Sequence, residues 1–425
     1  MPFRFVHTAD LHLDSPLRSL ALRNADLAEV VRGASRTALT RIVDLCLAES
    51  VDALLIAGDL YDGSQTSMNT ALFLASELRR LEAAGIRVFI IRGNHDSQSS
   101  IKRELALPDN VNLFTGRSIK PVPIKVLDSG KPVYIHGIGF DEPHAPDSLL
   151  PRFHAPVADA VNIGMLHTSL AGAPGHDPYA PCSIADLTTH GFDYWALGHV
   201  HLRQVHTLKP LIVMPGIPQG RDINEDGAKS VTLVSVADDG TFTHEERPVG
   251  QAVFQRLAID LTGVSEWRDM LATAGQSVAA CRQTVEAEAL ILRVALVGMT
   301  PLAWTLRRDP DYLLADLANI AAGTEGCWIE KVEVSCRSAA VAISISGPDP
   351  LSELADLIRT DILPSHAFRQ DVAGLVNDLV LQLPRELRET LAGDEVALER
   401  LVSSLSSDGS DDVLASLHGG EETDR

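Results

Sequence analysis

A chain of 425 residues, 45% hydrophobic and 5% aromatic, is longer than one core ordinarily organises and predicts two or three domains of a globular protein. Its formal charge of -21 excludes the broad basic surface of a dedicated nucleic-acid binder, so a phosphate-bearing substrate must be held by local cations, metal ions or a partner subunit. With no run near the roughly 18 uninterrupted apolar residues that span a bilayer and no signal-peptide pattern at the start, a cytoplasmic protein with no membrane partner is expected.

In chain order, Phe3 to Thr8 is a short apolar run of strand type, followed by the polar cluster Asp10, His12, Asp14 and Ser15. Helical spacing from about Ala34 to Ala48 places Leu39, Ile42 and Val43 on one side; Asp52 to Ile56 is the next strand, Ser67 to Ala84 the next helix, and Arg87 to Ile91 the strand after it. This alternation predicts an α/β layered fold whose strands are buried on both faces. Beyond Pro108 the texture changes to short strands at Ile119–Leu127, Val133–Phe140, Asn162–Leu166, Tyr194–Leu197, Leu211–Met214 and Ser230–Val236, which fit a second sheet. From Gln251 a small α+β unit follows: strands Phe254–Leu261, Ala289–Val297, Trp328–Ser335 and Val341–Ser346, with helices Glu266–Ala274 and Pro310–Ala322. Helices then occupy Leu351–Leu363, Asp371–Leu383 and Asp394–Leu405. The expected domains are therefore 1–250, a smaller accessory (capping) domain at 251–346, a helical region at 347–410, and a disordered acidic tail at 411–425. The five scattered cysteines include no Cys-x-x-Cys pair and read as buried thiols.

The polar residues at the strand ends carry the chemistry: Asp10-x-His12, Gly58-Asp59-x-x-Asp62, Gly93-Asn94-His95-Asp96, His167, and Gly198-His199-x-His201. Ligands in layered sheets bind at the carboxyl ends of strands, so five such sites converge on one cleft. Carboxylate, amide oxygen and neutral imidazole together suit divalent manganese, iron or zinc. Each pair alone reads as a turn or a surface pair as readily as a ligand pair; the ordered set of five does not.

That ordered set resembles the calcineurin-like metallophosphoesterases. Thr8 to Asp14 and the stretch Pro215 to Arg221 resemble the DNA repair exonuclease branch (SbcD/YhaO-like) of that superfamily. The likeness covers residues 1 to 250, and beyond them only the order of domains is similar. It implies a four-layer sandwich of two packed mixed sheets flanked by helices, with the α+β unit and helical C-terminus appended. It also implies a metal-dependent DNA exonuclease, with a phosphodiesterase or phosphatase acting on nucleotides or phosphoproteins as the alternative.

Carried over by position, Asp59 would bridge two divalent ions, manganese first among iron, zinc and magnesium. Asp10, His12 and His201 would complete one site; Asn94, His167 and His199 would complete the other. Two such ions about 3.5 to 4 Å apart need a bridging carboxylate and can activate water for attack on phosphorus. His95, beside the ligand Asn94, is the candidate proton donor to the leaving oxygen, and Asp62 matches the position that pairs with this histidine in phosphatase relatives. Some repair nucleases carry a histidine in place of Asp62. Arg221 and Arg92 are the cations for substrate phosphate, although Arg92 reads equally as a structural ion pair. Asp96 is either a support beside the ligands or a purely structural acid, and Asp14 a helix cap or a support. His7, His136, His144, His176 and His206 have no spacing argument. The implied partners are DNA and an SMC-like (SbcC-type) ATPase docking beyond the nuclease domain, with a homodimer left open.

Overall fold

Ala53-Leu-Leu-Ile-Ala57 and Val88-Phe-Ile-Ile91 carry no polar side chain on either face, so each needs an apolar partner above and below. The computed structural model, which describes residues 2–15, 25–62, 67–96, 107–115, 120–139, 145–170, 179–338, 350–383, 388 and 391–418, supplies both. The chain divides into two units, residues 1–255 with 285–291, and residues 256–284 with 292–425.

The first unit runs β1 (Phe3–Thr8), α1 (Ala25–Ala48), β2 (Ala53–Ala57), α2 (Met68–Ala83), β3 (Arg87–Ile91), β4 (Val111–Leu113), β5 (Val122–Val126), β6 (Pro132–Gly137), β7 (Val161–His167), α3 (Ile184–His190), β8 (Tyr194–Gly198), β9 (Gln204–Leu208), β10 (Leu211–Met214), β11 (Ser230–Val236) and β12 (Phe242–Pro248). These form two six-stranded sheets, ordered β12-β11-β1-β2-β3-β4 and β5-β6-β7-β8-β10-β9. Both are mixed: β1, β2 and β3 are mutually parallel while β11 runs antiparallel to β1, and β6, β7, β8 and β10 are parallel while β5 and β9 are antiparallel edges.

Alternation along each strand sorts the side chains into layers. Phe3, Phe5, Leu55, Phe89 and Ile91 point between the sheets, where they meet Ile135, Ile163, Tyr194 and Val213 of the second sheet. Val6, Leu54, Ile56, Val88 and Ile90 point the other way, onto Leu39, Ile42 and Val43 of α1 and Leu74, Leu78 and Leu81 of α2. The outer face of the second sheet is covered by Leu187 of α3 together with Leu149, Leu150 and Phe153. Helix, sheet, sheet and helix make the four-layer sandwich that the resemblance implied.

Several elements differ from the sequence expectation. Helix α1 starts at Ala25, nine residues before the expected Ala34, because an exposed Gly33 in mid-helix hides the earlier periodicity. Strands β4, β9 and β12 and helix α3 are additional; β12, Phe-Thr-His-Glu-Glu-Arg-Pro, is a charged sheet edge with little apolar signal. Helix α3 is started by a reciprocal cap between Ser183 and Asp186.

The second unit is built around a three-stranded sheet, β13 (Ala252–Asp260), β14 (Ala289–Val297) and β15 (Cys327–Val334), whose first two strands begin in the first unit. Helices α4 (Trp267–Gln283), α5 (Ala303–Arg308) and α6 (Pro310–Ala322) accompany it, followed by α7 (Pro350–Leu357), a π-helical segment Ile358–Ile362, α8 (His366–Gln382) and α9 (Glu395–His418). The expected strand Val341–Ser346 lies outside the described residues. The stretch expected to open a disordered tail at residue 411 is helical to His418, with 419–425 outside the described residues. Leu414 and Ala415 bury themselves beside Trp304, and Arg307 faces Asp408, Asp411 and Asp412, which is why this acidic Ser-rich stretch folds. All five cysteines are buried free thiols, and no described helix is long and apolar enough to cross a membrane.

Candidate metal centre

The parallel strands bring their carboxyl ends to one side of each sheet, and the polar residues stand there. Asp10 and His12 follow β1, Asp59 and Asp62 follow β2, Asn94 and His95 follow β3, His167 ends β7, and His199 and His201 follow β8. The two sheets are joined at this point by Asp10, whose carboxylate oxygens accept the His199 backbone N–H at 3.1 and 3.0 Å. Turning these short connections inward demands unusual backbone. Asp10, His12, Asp14, Asp59 and His199 are five of the eight non-glycine residues with positive φ among the described residues. Two glycines make room: a Cβ on Gly58 would stand 2.3 Å from the His167 ring, and one on Gly93 2.1 Å from Asp59 Oδ1.

Seven sequence-expected ligands are brought together. Ligand atoms of Asp10, His12 and His201 lie within 4.8 Å of one another, as do those of Asp10, Asp59 and His167. Asp59 Oδ2 lies 3.8 Å from His12 Nε2 and 3.4 Å from His167 Nε2, between the two groups. Asn94 Oδ1 is 3.0 Å from His167 Nε2 and 3.3 Å from His199 Nδ1.

The tautomers suit coordination. His167 Nδ1 is 2.9 Å from the Ala57 carbonyl, which can only accept, so in the neutral ring Nε2 presents its lone pair inward. His201 Nδ1 is 2.6 Å from Glu225 Oε1, which again turns an Nε2 lone pair inward, 3.2 Å from His12 Nε2. His12 Nδ1 is buried with no hydrogen-bond partner.

The electrostatics call for cationic charge. Burial pushes the Asp10 carboxyl up to about 6. Burial would lower His167 as well, yet the Asp59 and Asp10 carboxylates outweigh it and raise the imidazole to about 9. Crowded, desolvated carboxylates thus retain a proton on a histidine where a divalent ion would serve. The donor set of carboxylates, amide oxygen and imidazoles fits a divalent ion of intermediate hardness.

Beside these residues is an open cleft of about 460 Å³, lined by Asp59, Asn94, His95, His199, His201, Leu202, Arg221, Asn224, Glu225, Asp226 and Lys229. His95 lies on its exposed edge: the side chain is 42% exposed, and Nδ1 is 3.0 Å from Asp62 Oδ1. This hydrogen bond raises the His95 pKa, and it is the first cause of the depressed Asp62 carboxyl. Asp62 is steadied by Ser15, whose hydroxyl donates to Oδ2 at 2.6 Å. The His95 ring is also oriented through its backbone, whose N–H donates to Asp59 Oδ1 at 3.0 Å.

Arg221 lines the cleft, but its Nη2 donates to Glu225 Oε1 at 2.7 Å. Arg92 is half-buried and is not among the residues lining the cleft. Asp96 is a loop lock, accepting the Tyr61 and Gly93 backbone N–H groups at 3.1 Å each, so that it ties the loop after β2 to the loop after β3. Burial, helped by the nearby Asp59 charge, pushes its carboxyl up to about 7. Asp14 caps no described helix; it pairs with Arg36, whose Nε donates at 2.8 Å, and accepts from the Thr70 hydroxyl. Sequence reasoning missed Glu225 and Lys229. Neither carried a local signal: Arg221 and Glu225 share no helix, and Glu225 meets His201 across 24 residues. His7 and His136 are buried away from the cleft on Tyr194, Leu197 and Asn162, and His144 and His176 lie outside the described residues.

A sandwich of two mixed sheets with this strand-end set defines a class, and comparison with known proteins names it. The Calcineurin-like phosphoesterase family matches residues 3–203, and the chain belongs to it: this is a metallophosphoesterase, a hydrolase of phosphate esters with a divalent metal centre. More particularly, the family "Metallophosphoesterase YhaO, middle domain" matches residues 254–337. The "Uncharacterized metallophosphoesterase YhaO" of Bacillus subtilis (strain 168) is 31% identical over 304 residues, 71% of this chain and 73% of that protein. The "DNA double-strand break repair protein Mre11" of Saccharolobus solfataricus is 27% identical over 212 residues, 47% of this chain and half of that protein. The protein of the same name from Methanocaldococcus jannaschii is 24% identical over 208 residues, 47% of this chain and 51% of that protein.

Proposed function

We propose that this phosphoesterase is a DNA exonuclease that works in repair with an SMC-like ATPase of SbcC type. The observation that carries the reading is the exposed His95, held by Asp62 at the mouth of an open cleft directly beside the ligand cluster. A donor placed there protonates the departing deoxyribose oxygen of a DNA phosphodiester, a poor leaving group that phosphoanhydrides do not present. Arg221 and Lys229 supply positive charge along the same wall. Asp59, with Asp10, His12 and His201 on one side and Asn94, His167 and His199 on the other, would hold two divalent ions, manganese first among them. When bound, such ions supply Lewis acidity and an activated water. Likeness to proteins named for double-strand break repair supports DNA as substrate. Leu375 and Leu379, 66% and 62% exposed on one side of α8, support docking of the ATPase on the helical region.

The alternative, a phosphodiesterase or phosphatase acting on nucleotides or phosphoproteins, is favoured by the net charge of -21. A time course separates them: 5'- and 3'-labelled single- and double-stranded DNA, cyclic nucleotides and bis-p-nitrophenyl phosphate, each with manganese, magnesium or zinc. The assays run with and without the ATPase. Stepwise release of nucleotides from a DNA end, lost in His95→Ala, is expected. Turnover of cyclic nucleotides with intact DNA under every condition overturns the proposal.

A further inference from the structure

We infer that Glu225 is a positioning residue that orients His201 toward metal, with Arg221 as its clamp; the assignment rests on the metal-centre reading above. Glu225 lies in the short turn Ile223–Glu225, which Asp222 starts by accepting the Asn224 backbone N–H at 2.7 Å. Its side chain is 11% exposed, far too little for a surface acid, and its carboxylate is committed on every side. Oε1 faces His201 Nδ1 at 2.6 Å and accepts from Arg221 Nη2 at 2.7 Å, while Oε2 accepts the Arg221 backbone N–H at 2.8 Å. Arg221 Nη2 also stands 3.2 Å from His201 Nδ1, but the Glu225 carboxylate is nearer, at 2.6 Å, and can only accept, so the proton of the neutral His201 ring resides on Nδ1. The Nε2 lone pair then points into the group formed with Asp10 and His12. Such an acceptor behind a ligating imidazole fixes ring rotation and raises its basicity.

The same guanidinium also faces the proton donor's partner: Arg221 Nη1 is 3.8 Å from Asp62 Oδ2. Two imidazole–carboxylate pairs, His95 with Asp62 at 3.0 Å and His201 with Glu225 at 2.6 Å, therefore flank one arginine. Arg221 is consequently less a fork for substrate phosphate than the brace between the ligand side and the donor side of the cleft.

The test is a manganese titration of metal-stripped full-length protein, with free Mn(II) read by electron paramagnetic resonance. The variants are Glu225→Gln, Glu225→Ala and Arg221→Gln, and the melting temperature of each metal-free variant is recorded. Wild type is expected to take up two ions. In Glu225→Ala the affinity for one of them falls by roughly 10- to 100-fold while the other is little changed. Glu225→Gln, whose amide oxygen still accepts from Nδ1, falls less, and Arg221→Gln weakens the same ion. The near-isosteric Gln variant decides the matter if the Ala variant does not fold. Wild-type affinity at both sites in the Glu225 variants overturns the positioning role while leaving the metal centre standing. A wild-type protein that binds no manganese, zinc or iron overturns both.

Discussion

Replacing Gly93 by alanine should disable the site without dismantling the fold. The added Cβ would meet Asp59 Oδ1 at 2.1 Å and the Asp59 backbone nitrogen at 2.8 Å, where real Cβ contacts are not found below 3.0 Å. The Asp59 carboxylate has to retreat by about 1 Å, and it takes the hydrogen bond to the His95 N–H with it. Misplacement of a reacting group by 1 Å costs on the order of 10²-fold in rate, or about 2.7 kcal/mol of barrier. Overpacking of this kind costs about 1–3 kcal/mol of stability. The assay is the rate of bis-p-nitrophenyl phosphate hydrolysis with manganese, accompanied by a urea melt. Gly33→Ala is the control, because nothing lies within 4 Å of its Cβ and the residue is exposed in α1; it should gain about 0.5–1 kcal/mol and keep its rate. A Gly93→Ala protein that melts and hydrolyses like wild type would refute the steric argument.

His95→Ala should lose on the order of 10²- to 10⁴-fold on an alkyl phosphodiester such as a dinucleotide, and much less on a p-nitrophenyl ester, since nitrophenolate departs without a proton. Equal losses on the two substrates would show that His95 does not protonate the leaving group. Acid should weaken the fold through His7, which burial pushes down to about 3, and His136, which burial pushes down to about 4. Both are neutral in the folded chain while the unfolded chain takes up protons near 6.5, so stability falls as pH drops below 6.5. The slope is at most about 1.4 kcal/mol per pH unit for each group. Urea midpoints across this range should fall less steeply in His7→Gln, and an unchanged slope would remove His7 from the account.

The strands that were legible in the sequence are those covered on both faces. Ala53–Ala57 and Val88–Ile91 announce themselves by unbroken apolar runs, and the polar residues after them then stand out as a set. Strand β12 was not legible, because an edge strand carrying His244, Glu245, Glu246 and Arg247 has the composition of a loop. Helix α9 was legible only as far as the expected end at Leu405; its continuation was hidden for a related reason, since Ser406 to Ser410, with Gly409, lacks an intrinsic preference for helix, and only tertiary contacts to Trp304 and Arg307 show what holds it. In the site, strand ends revealed the residues that point inward from the sheets. Glu225 escaped because its role depends on distance to His201 across 24 residues and not on local pattern. Arg221 was found for its charge, and its principal partner became visible only in three dimensions.

The loop that carries Asp10 and His12 has a further consequence for how the centre comes apart. Backbone bonds from Asp10 N–H to Gly58 C=O at 2.9 Å, His12 to Asp59 at 3.0 Å and Leu13 to Leu60 at 3.0 Å prolong the β1–β2 ladder past the last strand residue. These residues are hinged to the sheet at nearly every step, so loosening them means unzipping two central strands. Their amides should exchange with solvent as slowly as those of the core, and an ion should enter or leave through the cleft mouth while the frame around it stays shut.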